Sequence, residues 1–188
     1  MIRDARIGDE DEIARVHVAA WRAAYRGTMP DEFLDALDEE SRAKRWREWI
    51  ENSRTKRRLV VATANGSIVG FAGIGPAREE AGNRGELYMI NLAPTAWGRG
   101  IGSALLEQCV SALAAVGHRE AILWVVRQNA RARRFYQREG WTQEGDRHDT
   151  ISENGFTFEV DELRYVRALP PSAPEPPPRI AAVAKLPR

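Results

Sequence analysis

Residues 87–113, LYMINLAPTAWGRGIGSALLEQCVSAL, constrain this chain more than any other stretch. An apolar strand runs into Pro94, then into a turn where Gly98, Gly100 and Gly102 alternate with Arg99 and Ile101, and then into a helix. Glycine takes positive φ at little cost and has no Cβ, so the amides of such a turn can approach a ligand closely. A helix beginning near Gly100 directs its unpaired N–H groups and the positive end of its dipole at the turn. That makes a seat for a phosphate or pyrophosphate, with the Ser103 hydroxyl beside it.

Two phosphate-binding loops share parts of the pattern, and neither fits. The nucleotide P-loop closes on Gly-Lys-Ser/Thr, whereas Gly102 is followed by Ser103 and Ala104. The dinucleotide fingerprint needs glycine at its first, third and sixth places. Gly98 and Gly100 meet the first two, but Ser103 takes the sixth and no acidic residue follows at the required distance.

The 188 residues, 43% apolar and 29% charged, suit one domain with a sizeable core. The longest clean apolar run, 121–126, is far short of a membrane span, and Arg3, Asp4, Arg6 and Asp9 stand where a signal peptide needs apolar residues. The expectation is a cytoplasmic protein without a membrane partner. Cys109 is the single cysteine, which excludes an intrachain disulfide and a thiolate metal cluster, so no metal is expected and Cys109 is assigned to helix packing. A net charge of +1 gives no global field for nucleic acid. Arg127, Arg131, Arg133, Arg134 and Arg138 form a basic run without aromatic platforms, read either as a solvated helix face or as an attraction for ligand phosphates.

Along the chain, residues 2–7 read as a first strand. Asp9 with Glu12 has the spacing of a capping box, and Ile13, Val16, Ala20, Trp21 and Ala24 recur at helical spacing until Gly27. Residues 29–37 and 41–50 read as short helices, the second carrying Trp46 and Trp49, candidates for an interface in a homodimer. Strands at 59–64 and 68–74 flank Asn65-Gly66, a two-residue hairpin signal. An exposed loop is expected over 75–85, a strand over 86–92, and after the glycine turn a helix stopped by Gly117. The apolar run 121–126 follows through that helix and should lie parallel to the strand before it. Asn129 caps a further helix that ends at Gly140, and Trp141 opens a strand. A loop is placed over 145–155, where Asp146, Asp149 and Glu153 could attract a cation. The spacing of Phe156, Phe158 and Val160 changes phase before Leu163 and Tyr165, which predicts a bulge around Asp161 and Glu162. Residues 169–188 hold seven of the ten prolines and read as a disordered tail behind a domain of 1–168.

The glycine turn resembles motif A of the GNAT superfamily of N-acetyltransferases, Arg/Gln-x-x-Gly-x-Gly/Ala, with Gly100 and Gly102 on its glycines and Trp97 in place of the usual Arg or Gln. VVRQNARARRFYQREGW is similar to a second signature of the same family through Asn129, Ala132, Phe135, Tyr136, Gly140 and Trp141. The resemblance covers residues 1–168 and implies an α/β fold: a mixed, mostly antiparallel sheet with a splayed parallel strand pair, flanked by helices. It implies acetyl-CoA as cosubstrate, its pyrophosphate held by Trp97, Gly98, Arg99, Gly100, Ile101, Gly102 and Ser103. Its pantetheine arm would pair with main-chain groups of Asn91, Leu92 and Ala93, with Asn129 reaching the same ligand.

The implied reaction is acetyl transfer to an amine presented near Trp21 and Tyr25. Glu86 is the candidate base, Tyr136 the acid that protonates the departing thiolate, and the Leu92 N–H the oxyanion donor. A rival reading keeps the fold as a non-catalytic acyl-CoA sensor or regulatory module. The presence of both Tyr136 and Glu86 favours the enzyme.

Overall fold

The computed structural model describes residues 1–52, 57–78 and 83–171. Asn65 and Gly66 take φ of 51° and 83°, the positive values a tight hairpin turn demands, and join β2 (Arg58–Ala64) to β3 (Ser67–Pro76) in antiparallel register. β1 (Ile2–Asp4) pairs with the far edge of β2, and β4 (Arg84–Leu92) pairs antiparallel with β3. The expected loop over 75–85 is therefore shorter: Gly75 and Pro76 belong to β3, Arg84 and Gly85 to β4, and 79–82 lie outside the described residues.

A short 3-10 turn, Pro94–Ala96, leads to helix α4 (Ile101–Ala115), and β5 (Glu120–Val126) returns parallel to β4. Helix α5 (Ala130–Arg138), β6 (Thr142–Glu153) and β7 (Phe156–Ala168) complete a seven-stranded sheet of order β1-β2-β3-β4-β5-β7-β6. β4 with β5 is the parallel pair and the other pairings are antiparallel. No helix among the described residues is long and apolar enough to cross a membrane.

Alternation along the strands separates the core into two layers. Val60 and Ala62 of β2 face α4, whose Leu105, Leu106, Cys109 and Leu113 are buried with Tyr136 and Trp141. Burial pushes the Cys109 thiol up to about 12, in keeping with a packing role. Leu59 and Val61 face the opposite layer, α1 (Glu10–Tyr25) and α3 (Glu39–Asn52), where Ile13, Trp46 and Phe71 meet. Trp46 is thus a core residue, 4.9 Å from the Phe71 ring, while Trp49 beside it is half-buried. Helix α2 (Asp31–Asp35) closes the second layer with Phe33 and Leu34 against Val126, Phe156 and Phe158.

Three expectations are corrected. The capping box does not form: Asp9 accepts from the Arg3 guanidinium (2.6 and 2.8 Å) and the Arg6 N–H (2.8 Å), and Glu12 accepts from the Ile68 N–H (2.6 Å). Both carboxylates are spent on partners brought in by the fold. The phase change in β7 is not a bulge, because its register with β5 is continuous from Glu162 to Ala168. Phe156, Phe158 and Val160 face the α1–α2 layer, and Leu163 and Tyr165 face the α4 layer, so the strand changes which face it buries. The register shift lies in β6, between Gln143 and Gly145.

The expected loop over 145–155 is also replaced, by most of β6 and a second Asn-Gly hairpin at Asn154 (φ 52°) and Gly155 (φ 79°). At the other end, Leu169 is buried and its N–H donates to the Arg119 carbonyl (2.8 Å), which extends the packed unit past 168. Residues 172–188 of the proline-rich segment lie outside the described residues.

His17 on α1 is 7% exposed between Trp21 and Trp46, and neither ring nitrogen has a hydrogen-bond partner among the described residues. Burial first, then the Arg42 and Arg45 cations, lower its pKa from 6.5 to about 3. The unfolded chain therefore binds a proton that the folded chain refuses, and stability falls as pH drops through that window. We expect His17→Phe to remove about 2 kcal/mol of the stability lost between about pH 6.5 and 5, read from urea unfolding at each pH. An unchanged pH slope would reject this account.

Candidate active site

The site begins where the parallel pair stops. β4 and β5 are paired only from Arg84 with Glu120 to Leu87 with Leu123. There β4 carries an extra residue, Tyr88, since Met89 faces Gly73 while Leu87 faces Ile74. Such a bulge bends its strand, and we attribute the divergence of β4 from β5 to it. Glycine in β3 makes room: a Cβ on Gly73 would strike the Met89 sulfur, and one on Gly75 the Tyr88 hydroxyl, which donates to the Pro76 carbonyl (2.6 Å).

Beyond the bulge the Ala93 N–H donates to the Val69 carbonyl (2.9 Å). Antiparallel register then turns the main-chain groups of Asn91 and Ala93 to β3, and those of Ile90 and Leu92 to the gap. Of the three residues expected to offer main-chain groups, Leu92 does so, and Ile90 joins it.

The gap opens into a cavity of about 530 Å³, bordered by Ile90 and Leu92, by Trp124 and Val126 of β5, and by the glycine turn. Gly98 and Gly100 have φ of 71° and 75°, and a Cβ on either would meet nothing within 4 Å, so the turn presents bare backbone. The first helical bond of α4 runs from the Ala104 N–H to the Gly100 carbonyl (3.1 Å), which leaves the amides of Ile101, Gly102 and Ser103 ahead of the ladder. The side chains behave differently. Arg99 is exposed and does not border the cavity, Ile101 packs on the core, and the Ser103 hydroxyl donates to Glu139 (2.6 Å), tying α4 to the end of α5. The Trp97 indole N–H donates to the Leu92 carbonyl (3.0 Å), and the Arg131 guanidinium lies over the indole face, 3.1 Å from its centroid.

Tyr136 borders the cavity from α5, packed beside Trp141 and Tyr165. Burial raises its phenol above the ordinary value, and among the described residues its hydroxyl has no hydrogen-bond partner, so it is a neutral donor at any working pH. Asn129 accepts from the Ala132 N–H (3.0 Å), the cap expected of it, and also borders the cavity. Trp21 and Tyr25 stand edge to face, 5.3 Å apart, and also border the cavity, with the Tyr25 hydroxyl hydrogen-bonded to the Asn129 side chain.

Glu86 is set apart from this group. It is 1% exposed on the zipped part of β4, beside Ile122, and does not border the cavity. The Arg78 Nε–H donates to one of its oxygens (3.0 Å) and the Arg78 backbone N–H to the other (2.9 Å).

The acids expected to attract a cation are already paired: Asp146 with Arg127 (2.9 Å), Asp149 with Arg147 (3.2 Å), and Glu153 with Arg42 (2.8 Å) and Arg45. Trp124 and Glu162 also border the cavity, beyond the site residues that the sequence suggests. Alternation supplies the missing signal for Trp124: Leu123 and Val125 face α4, so their neighbour points the other way.

A family model described as the acetyltransferase (GNAT) family matches residues 18–141. The chain belongs to the GNAT acetyltransferase family. It is 35% identical over 130 residues to the uncharacterized N-acetyltransferase YuaI of Bacillus subtilis strain 168, covering 68% of this chain and 72% of that one. An uncharacterized N-acetyltransferase of Archaeoglobus fulgidus is 33% identical over 138 residues, 72% of this chain and 88% of its own. In fold it is similar to the PaiA N-acetyltransferase of Thermoplasma acidophilum, solved in complex with coenzyme A. The TM-score is 0.72 at 21% identity, over 89% of this chain and 98% of that one.

As a GNAT acetyltransferase the chain keeps the bare turn and departs at Trp97, which points its only donor back into its own main chain. At the zipped end of β4, Arg78 is paired with Glu86, a nearly fully buried acid. We expect Arg78→Met to cost about 1–3 kcal/mol in urea unfolding, because it leaves that acid under-satisfied. Arg78→Met with Glu86→Gln should recover part of the loss, since no charge then stays buried. An equal loss in both variants would assign the effect to Arg78 packing alone.

Proposed function

We propose that the chain is a cytoplasmic enzyme that transfers an acetyl group from acetyl-CoA to a primary amine. The observation that carries this reading is the parted β4–β5 pair sharing one cavity with the bare glycine turn and the Tyr136 phenol. The diphosphate is held by the amides from Gly98 to Ser103 and by the dipole of α4. The pantetheine arm lies along β4 as an added strand, using the edge groups of Ile90. Asn129, its oxygen engaged at the helix cap and one amide N–H directed at the Tyr25 hydroxyl, has its second amide N–H for the same arm.

The amine enters between Trp21, Tyr25 and Trp124, whose rings suit its apolar stem, while the guanidinium groups of Arg42 and Arg147 already lie over Trp21 and Trp124. With a pKa of about 10.4 an alkylamine is mostly protonated at neutral pH and must lose a proton before it attacks. Its nitrogen then bonds to the thioester carbon, and the Leu92 N–H, facing the gap, meets the charge developing on oxygen. As the intermediate collapses the C–S bond breaks, and the Tyr136 hydroxyl protonates the sulfur. Glu86 takes the amine proton through intervening solvent, because it does not border the cavity itself.

Thiol release from acetyl-CoA in the presence of a panel of amines tests the reading. We expect at least one amine to stimulate release, and Tyr136→Phe to lower kcat by about tenfold or more with KM for acetyl-CoA unchanged. Coenzyme A binding without release for any amine would leave the sensor reading. Unaltered kcat in Tyr136→Phe would remove Tyr136 from the chemistry. Glu86→Gln should abolish the acidic limb of the pH–rate profile, and an intact limb would discard Glu86 as the base.

A further inference from the structure

The place where motif A carries a side-chain donor holds an indole whose N–H is already committed. Trp97 Nε1 donates to the Leu92 carbonyl at 3.0 Å, so the ring is fixed with one face available. Arg131, in the first turn of α5, lays its guanidinium on that face, 3.1 Å from the centroid. Both residues border the cavity, together with Gly98 and Gly100 of the turn. No carboxylate among the described residues pairs with Arg131, in contrast to Arg127, which meets Asp146, and Arg147, which meets Glu162. Partial desolvation on the ring lowers its pKa, the mark of a cation that has shed water without gaining an anion. A stacked guanidinium keeps its in-plane N–H groups for a planar or tetrahedral oxyanion.

We propose that Arg131, held in place by stacking on Trp97, is the side-chain ligand of the coenzyme A diphosphate, taking over from helix α5 the role that the motif ordinarily gives to position 97. This assignment rests on the acetyl-CoA reading above. It also divides the basic run: Arg131 serves the ligand, whereas Arg127 is tied to Asp146 and Arg133 to the Arg127 carbonyl (3.1 Å).

Calorimetric titration of the full chain with coenzyme A, dephospho-coenzyme A and pantetheine tests it. We expect Arg131→Met to weaken coenzyme A about 10- to 100-fold. Dephospho-coenzyme A, which keeps the diphosphate, should lose the same factor, and pantetheine should lose nothing. Arg131→Lys should recover only part of the affinity, because an ammonium cannot lie flat on the indole. Trp97→Gln added to Arg131→Met should regain affinity by restoring the motif's donor.

Coenzyme A binding by Arg131→Met within twofold of the unaltered chain would overturn the assignment alone. A loss shared by pantetheine would make Arg131 a residue that merely shapes α5. A loss absent for dephospho-coenzyme A would move its contact to the 3′-phosphate. Failure of the unaltered chain to bind coenzyme A would overturn the acetyl-CoA reading and this assignment with it.

Discussion

The constraint on which the site depends is the early end of hydrogen bonding between β4 and β5. Two parallel strands joined through a helix would ordinarily zip along their length, and here one extra residue at Tyr88 prevents it. The exposed edge of β4 is costly unless something pairs with it, because a strand edge leaves N–H and C=O groups unmet. The Leu92 carbonyl is met by Trp97, and the remaining edge groups are what an extended ligand can use. Sheet, bulge and turn therefore act as one device: the bulge opens the space, β3 glycines permit the bulge, and α4 supplies amides at the mouth.

Ionic groups in this molecule are largely occupied in holding elements together. Glu153 at the β6–β7 hairpin is clasped by Arg42 and Arg45 of α3, and Glu86 by Arg78. Exposed pairs of this kind contribute little individually, but a buried partner is expensive to abandon. Against that background the inner cavity wall is mainly aromatic and aliphatic, its neutral polar groups come from main chain, phenol and amide, and its charged groups are Arg131, Arg134, Arg138 and Glu162. Such a lining suits a thioester, which is neutral, with the charge of its carrier kept at the mouth.

Features fixed by neighbours in sequence were legible without coordinates. Asn65-Gly66 specifies its turn through local φ preference, Gly100 its helix start, and Asn129 its cap, and each is found where expected. The parallel relation of β4 and β5 followed from the intervening helix. What could not be read was fixed by partners distant in the chain. Glu12 has a perfect capping position and is claimed by the Ile68 N–H; Glu153 looks like a free loop acid and is claimed by α3. Glu86 reads as a strand-end acid, and only the fold shows it buried beneath Arg78. Asn154-Gly155 carries the same signal as Asn65-Gly66, but the charged residues before it do not alternate like a half-buried strand, so the signal lacks its flanking pattern.

The outer strand β6 explains why those charges stand there. It borders the sheet along twelve residues, a length that invites another chain to add itself, yet Asp146, Arg147, His148 and Asp149 crowd its middle. Arg147 and His148 are bound sideways to Glu162 and Asp161 of β7, so an incoming strand would have to sit against a row of fixed charges. The opposite border, β1, is only three residues long. The sheet thus discourages strand addition at both margins, and among the described residues the gap that can take an extended molecule lies in its interior.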